Sequence, residues 1–139
     1  MGKFHNKYSI AFYVAIHYLC FCIFTINCAG NSLHYFIPHP YANNYTYSQQ
    51  VDMPLHAVSM LVNFGSATET ELDVDFVVLC KDVTCAENWG NYSGITFPGI
   101  YPTPILSIPA TSLYISFSSH GQNVNLGFDL TLTPIYGMV

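Results

Sequence analysis

Apolar and polar residues alternate with a period of two in several short segments of the chain. The clearest segment is Ser112–Ser118, in which Leu113, Ile115 and Phe117 alternate with serine and tyrosine. Alternation of this kind is typical of a β-strand that buries one face. Because a strand that is apolar on both faces is usually central in its sheet, Asp73–Cys80 is predicted to be a central strand. The same alternation predicts further strands at Thr46–Met53, Ala57–Phe64 and Phe128–Thr133.

Glycine and proline residues separate these segments, and no helical periodicity is sustained beyond residue 30. Many short strands with turns about every ten residues indicate an all-β sandwich. The predicted fold class is therefore all-β, with a single sandwich domain over residues 31–139.

The first 30 residues have a different character. Lys3 and Lys7 precede an apolar stretch, Tyr8–Ile26, which the small residues of Asn27–Gly30 follow. These features predict a signal peptide that is cleaved after Gly30. The alternative is a single-pass signal-anchor, because the apolar stretch approaches the roughly 20 residues that span a bilayer. In both cases the lysines stay inside, and the domain is secreted or lies outside the cell.

Charge is sparse in this protein. Charged residues make up 8% of the chain, and past residue 30 Lys81 alone accompanies eight carboxylates. This balance excludes nucleic acid as a partner, because phosphate binding requires clustered Lys or Arg. Anionic membrane surfaces are disfavoured for the same reason, so a membrane partner is expected only if the leader is retained as an anchor.

Cysteines and glycosylation sequons point to the same compartment as the leader. Cys80 and Cys85 are the two cysteines that follow the leader, and an even number in an oxidising compartment predicts a disulfide. Sequons at Asn44 and Asn91 predict N-glycosylation. All of these features indicate a secreted glycoprotein.

The sequence shows no catalytic motif. Its serines lie outside a Gly-x-Ser-x-Gly elbow, and its histidines lack the HExxH spacing. Asp73 and Asp75 could resemble a glycosidase pair, but alternate acids on one strand more often form a surface stripe. We therefore expect no enzyme activity.

Short motifs follow one another in order from His39 to Pro134: His39–Asn44, Leu72–Val77, Trp89-Gly90, Tyr92–Gly94, Ser116–Asn123 and Gly127–Leu130. This ordered set resembles the CUB domain. The middle of the set looks closer to the divergent CUB-like module of large intracellular proteins with ZZ zinc fingers or ubiquitin-ligase domains. The resemblance implies a jelly-roll-like β-sandwich that recognises a protein or glycan through its loops, without catalysis. The cysteine of the first CUB strand is absent here.

The resemblance also implies that Ca²⁺ is a possible cofactor, because many CUB domains hold Ca²⁺ at one edge. Glu69 or Glu71 matches the first carboxylate, Asp75 matches the second, and Asn123 matches a supporting ligand. His120 stands where the family has a late-loop aspartate, and an imidazole is a poor ligand for a hard cation. The alternatives are a solvated acidic rim, or a transition metal held by the histidine and two carboxylates.

Three aromatic residues in or beside predicted loops, Tyr41, Trp89 and Tyr92, are candidate ligand contacts, because aromatic side chains supply rigid contact area. Alternatively, such residues cap the core and bond through their polar tips. The predicted function is recognition of an extracellular protein or glycan by edge loops. The alternative function is a self-assembling coat or matrix protein, which the low charge would suit. The predicted edge loops are Asn43–Tyr47, Glu69–Asp75 and Ser119–Asn125.

Overall fold

The computed structural model of the protein describes residues 31–138. The predicted signal peptide, residues 1–30, therefore lies outside the described residues. The described chain consists of eight strands and connecting loops. The strands are β1 (Leu33–Phe36), β2 (Thr46–Asp52), β3 (Ala57–Phe64), β4 (Phe76–Cys80), β5 (Asn88–Tyr92), β6 (Leu106–Ile108), β7 (Ser112–Ser118) and β8 (Asp129–Tyr136).

The strands form two antiparallel sheets of four strands each. One sheet has the order β1-β8-β3-β6 and the other has the order β2-β7-β4-β5. Residues 31–138 include no helix that is long and apolar enough to cross a bilayer. The predicted all-β sandwich is confirmed, and β4 lies between two neighbours as a central strand should.

The core lies between the two sheets and consists of the alternate residues of their strands. On β7, Leu113, Ile115 and Phe117 are buried, whereas Ser112 and Ser118 are exposed. Removing apolar surface from water is worth about 25 cal/mol per Å², so this alternation stabilises the packing of one sheet on the other. The strands β3 and β8 contribute in the same way through Met60, Val62, Phe64, Leu130 and Leu132.

The strand predicted at Asp73–Cys80 begins later in the structure, at Phe76. The backbone N–H of Asp75 donates to the carbonyl of Glu71 at 3.0 Å, and Asp73 has a φ of 59°. A left-handed residue inside a closed turn cannot continue a sheet ladder. Asp75 therefore ends a turn instead of lying within a strand.

Four connections between strands meet at one end of the sandwich, which we call the Asp75 end. These connections are residues 37–45, 65–75, 93–105 and 119–128. The opposite end, which we call the far end, carries residues 53–56, 81–87 and 109–111.

The predicted disulfide is confirmed and lies at the far end. Cys80 and Cys85 are bonded with a Cα–Cα distance of 4.8 Å. Asp82 organises the loop that they enclose, because its carboxylate accepts hydrogen bonds from Thr84 and from the backbone N–H of Cys85. The hydrogen bonds from Thr84 lower the pKa of Asp82. This arrangement is a structural staple about 16 Å along β4 from the Asp75 end, at about 3.3 Å per residue.

Candidate functional site

A buried carboxylate, that of Asp75, lies at the centre of the Asp75 end. Its side chain is 0% exposed. The hydroxyl of Tyr41 donates to Oδ2 at 2.7 Å, and the backbone N–H of His120 donates to Oδ1 at 2.9 Å. A buried carboxylate must be hydrogen-bonded to be stable. These contacts therefore tie loops 37–45 and 119–128 to the residue that precedes β4.

Tyr41 is a structural residue of this end. Its ring is 1% exposed and packs edge-on against Phe117, with centroids 5.1 Å apart. Its hydroxyl donates to Asp75 and accepts a hydrogen bond from the backbone N–H of Glu71 at 3.1 Å. Burial, followed by the hydrogen bond to Asp75, raises the pKa of Tyr41 to about 12. The prediction that Tyr41 contacts a ligand from the surface is wrong, because its polar tip finds partners inside the fold.

His120 lies on the solvent side of the buried carboxylate. Its side chain is 67% exposed, and its Nδ1 is 3.0 Å from Oδ1 of Asp75. A carboxylate oxygen only accepts hydrogen bonds. A hydrogen bond at this contact therefore places the proton on Nδ1 of His120. The imidazole therefore donates to Asp75 with Nδ1–H.

Two pairs form among the five residues predicted as calcium ligands: His120 contacts Asp75, and Asn123 contacts Glu71. Asn123 Nδ2 donates to Oε1 of Glu71 at 2.8 Å, which joins loop 119–128 to loop 65–75 a second time. Glu69 is separate, since its backbone forms a two-way bridge with Gly127 at 2.8 Å in each direction. The assignment of Glu69 or Glu71 as a calcium ligand stays a prediction.

A shallow pocket of 280 Å³ lies beside Glu69. Tyr101, which is 96% exposed, and Ile95 and Leu126 make its rim largely apolar. Ile95 and Leu126 were not among the predicted contact residues, because loops 93–105 and 119–128 have no alternating pattern. The pocket adds an apolar contact area to the acidic surface of the Asp75 end.

The two other aromatic candidates lie on β5 and are half-buried. Tyr92 packs against Phe64 and Phe97 in the core, with centroids 6.0 Å away in each case. Lys81 Nζ lies 4.8 Å from the ring centroid of Trp89, at the far end. Contact of Trp89 or Tyr92 with a ligand stays a prediction.

Both predicted glycosylation sites are accessible. Asn44 is exposed in the loop before β2, and Asn91 is exposed on β5. Their modification stays a prediction.

Comparison with solved structures identifies the architecture. The structure of the MASP-1 CUB2 domain bound to Ca²⁺ matches with a TM-score of 0.59 and 18% identity, over 73% of this chain and 91% of that chain. The chain has a CUB-like fold. The CUB1-EGF-CUB2 domains of rat MASP-1 match with a TM-score of 0.59 and 19% identity, over 76% of this chain. The match covers 40% of that longer chain, so the CUB-like domain spans less than half of it.

The CUB-like sandwich predicted from the sequence is thus confirmed at the level of fold. No profile of a known protein family matches the sequence, and no curated protein matches it. The predicted likeness to the modules of ZZ zinc-finger and ubiquitin-ligase proteins stays a prediction.

The first of these structures contains Ca²⁺, so the residues of the Asp75 end can be tested for the same role. Ca²⁺ takes six to eight oxygen ligands. Both oxygens of Asp75 already accept hydrogen bonds, and the oxygen of Tyr41 is both donor and acceptor. His120 presents an N–H to Asp75, where a calcium ligand would present oxygen. Within residues 31–138, no three histidine, cysteine, aspartate or glutamate side chains are grouped to hold a metal. The residues present do not fit Ca²⁺.

Proposed function

We propose that this protein is a secreted or cell-surface, non-catalytic binding module whose Asp75 end recognises an extracellular protein. The observation that carries the proposal is the hydrogen-bond network of Asp75, which joins three loops beneath an exposed surface. Loops that are ordered before binding reduce the entropy cost of association. The CUB-like fold of this protein also supports a binding role.

Charge indicates the chemistry of the partner. Glu69, Glu71 and Asp73 lie at the Asp75 end. Lys81, which is the single lysine within residues 31–138, lies at the far end. Complementary charge steers association and selects partners. We therefore infer a protein partner that presents Lys or Arg side chains to these acids and an apolar residue to Tyr101.

Paired variants of equal chemical change test this proposal. We would screen the purified protein against a panel of individually displayed secreted and cell-surface proteins. For a partner found in this way, Glu71→Gln and Tyr101→Ala should each weaken binding at least about tenfold, which is 1.4 kcal/mol. The far-end changes Glu87→Gln and Val83→Ala should leave binding unchanged.

Each outcome of the screen has a distinct meaning. Equal loss in both sets of variants, or loss only with the far-end set, would contradict recognition by the Asp75 end. Binding of a neutral glycan would weaken with Tyr101→Ala and would not depend on salt concentration, because a neutral sugar makes no ion pair.

The proposed location has its own test. Peptide mass mapping of protein made in a eukaryotic cell from the full chain should find a start at Asn31 and sugar on Asn44 and Asn91. A retained residue 1–30 segment would instead indicate the anchored form. Unmodified asparagines together with free thiols would contradict export.

Self-assembly is the second candidate function, and the edge strand β2 favours it. The strand is seven residues long and contains neither proline nor lysine, which are residues that natural edge strands use against pairing. The edge strands β1 and β6 are shorter, with four and three residues. If the protein assembles through β2, its native mass should rise with concentration. The substitution Gln49→Lys should then return the mass to the monomer value. A constant monomer mass would exclude it.

A further inference from the structure

We propose that the Asp75 end is a metal-independent form of the CUB-like edge, in which the side chain of His120, instead of bound Ca²⁺, joins the loops. The inference does not depend on which ligand the loops recognise. It rests on the disagreement between the similar calcium-bound structure and the donor set of this chain.

Three of the roughly four acceptor sites of the Asp75 carboxylate are used within the protein. Oδ1 accepts from both the backbone N–H and Nδ1–H of His120, at 2.9 and 3.0 Å, and Oδ2 accepts from Tyr41 at 2.7 Å. Charged hydrogen bonds of this kind are stronger than neutral ones. Three donors thus stabilise a carboxylate that would otherwise be buried without a partner, and no cation is needed to do so.

The backbone of His120 joins three of the four loops, and its ring adds a further hydrogen bond to Asp75. Its carbonyl accepts from the backbone N–H of Asn44 at 3.2 Å, which joins loop 119–128 to loop 37–45. Its amide and its ring both reach Asp75 at the end of loop 65–75. The residue is therefore placed to hold this end of the domain together.

The donor set also has too little negative charge for a calcium site. A late-loop aspartate, which the CUB resemblance places at this position, would add a carboxylate beside Asp75. His120 supplies no negative charge and points an N–H toward the carboxylate. Calcium affinity rises with the negative charge of the ligands. Histidine in place of aspartate therefore lowers the affinity for calcium and also supplies a hydrogen bond to Asp75.

Thermal unfolding of the purified full-chain product tests the inference. The wild-type melting temperature in 5 mM CaCl₂ should lie within about 1 °C of its value in EDTA, since a ligand that does not bind the native state does not stabilise it. A saturable, calcium-dependent rise in the wild-type melting temperature would overturn the proposal.

A single substitution tests the attribution to His120. His120→Asp restores the late-loop carboxylate and should create a response to calcium. The melting temperature should rise by about 10 °C at calcium 100-fold above the dissociation constant. The control His120→Ala removes the imidazole and offers neither a donor to Asp75 nor an oxygen to calcium, so it should lower the melting temperature by about 5 °C and show no response. A folded His120→Asp protein that ignores calcium would refute the role assigned to this residue.

A spectroscopic measurement keeps the proposal testable if His120→Asp folds in neither condition. The ¹⁵N shifts of the wild-type imidazole in EDTA should report a proton on Nδ1, with a hydrogen bond that persists on addition of CaCl₂. A ring protonated only on Nε2 would contradict the geometry on which the inference stands.

Discussion

Replacing Tyr41 with phenylalanine removes one oxygen atom from the Asp75 network and keeps the ring that packs on Phe117. The substitution deletes the hydrogen bond to Oδ2 of buried Asp75, at 2.7 Å. It also deletes the acceptor of the backbone N–H of Glu71, at 3.1 Å. The change thus isolates the contribution of the hydroxyl to stability.

The structure gives the magnitude of the effect. A hydrogen bond to a charged group contributes about 1.5–3 kcal/mol, and an ordinary one contributes about 1 kcal/mol. Because both bonds of Tyr41 are lost together, we expect the free energy of unfolding to fall by about 3 kcal/mol. For a domain of this size, that loss lowers the melting temperature by about 12 °C.

Urea unfolding, followed by the fluorescence of Trp89, measures this change. Trp89 is the one tryptophan of the chain. The midpoint should fall by about 1–2 M with an unchanged slope. The matched control is Tyr114→Phe, whose hydroxyl donates to Gln50 at an exposed position, at 3.0 Å. The control should cost no more than about 0.5 kcal/mol. Equal effects for the two variants would refute the role of the buried network.

Further variants and conditions test other parts of the fold. Gly127→Ala should destabilise the domain by about 2–3 kcal/mol in the same urea assay, because φ is +99° and the added Cβ would lie 2.9 Å from a buried isoleucine. The control Gly121→Ala should leave stability unchanged, because the nearest atom to its added Cβ is 3.7 Å away. Equal losses of stability in the two variants would contradict this packing. Since the pKa of Tyr41 is raised from 10.0 to about 12, its stabilising contribution is complete below pH 10 and is lost as pH rises through 12. The loss should reach about 3 kcal/mol in urea titrations across that range, and an unchanged pH profile in Tyr41→Phe would contradict it. Replacing both Cys80 and Cys85 with alanine should lower the free energy of unfolding by about 2 kcal/mol, because the disulfide closes a short loop. A loss above about 4 kcal/mol would contradict a purely loop-closing role for the disulfide.

The sandwich could be predicted wherever strands alternate between a buried and an exposed face. Both ends of β3 and β7 are predicted to the residue, because each strand is long enough to show its period. The strands β1, β5 and β6 have no counterpart among the predicted segments. β1 has four residues, which is too short to show a clear period. β5 contains Gly90, and β6 has three residues, which is too short for any periodicity.

Some residues of the candidate site could be predicted from the sequence, but the burial and hydrogen bonds of Asp75 could not. The resemblance to CUB domains placed Glu69 or Glu71 with Asp75, His120 and Asn123, and the structure shows the pairs Asp75–His120 and Glu71–Asn123. Sequence pattern treated Asp75 as part of an acidic surface stripe, because acids that are close in sequence are usually solvated. Its burial depends on the hydroxyl of Tyr41, which lies 34 residues away and whose direction no local pattern reveals.

Amide hydrogen exchange in EDTA tests most directly whether the Asp75 end is held by its own hydrogen bonds. The backbone N–H groups of Glu71 and His120, which donate to Tyr41 and Asp75, should exchange slowly, as in the core strands. The exposed neighbour Gln122 should exchange rapidly in the same spectra. Fast exchange at Glu71 and His120 that becomes slow only when CaCl₂ is added would contradict the account.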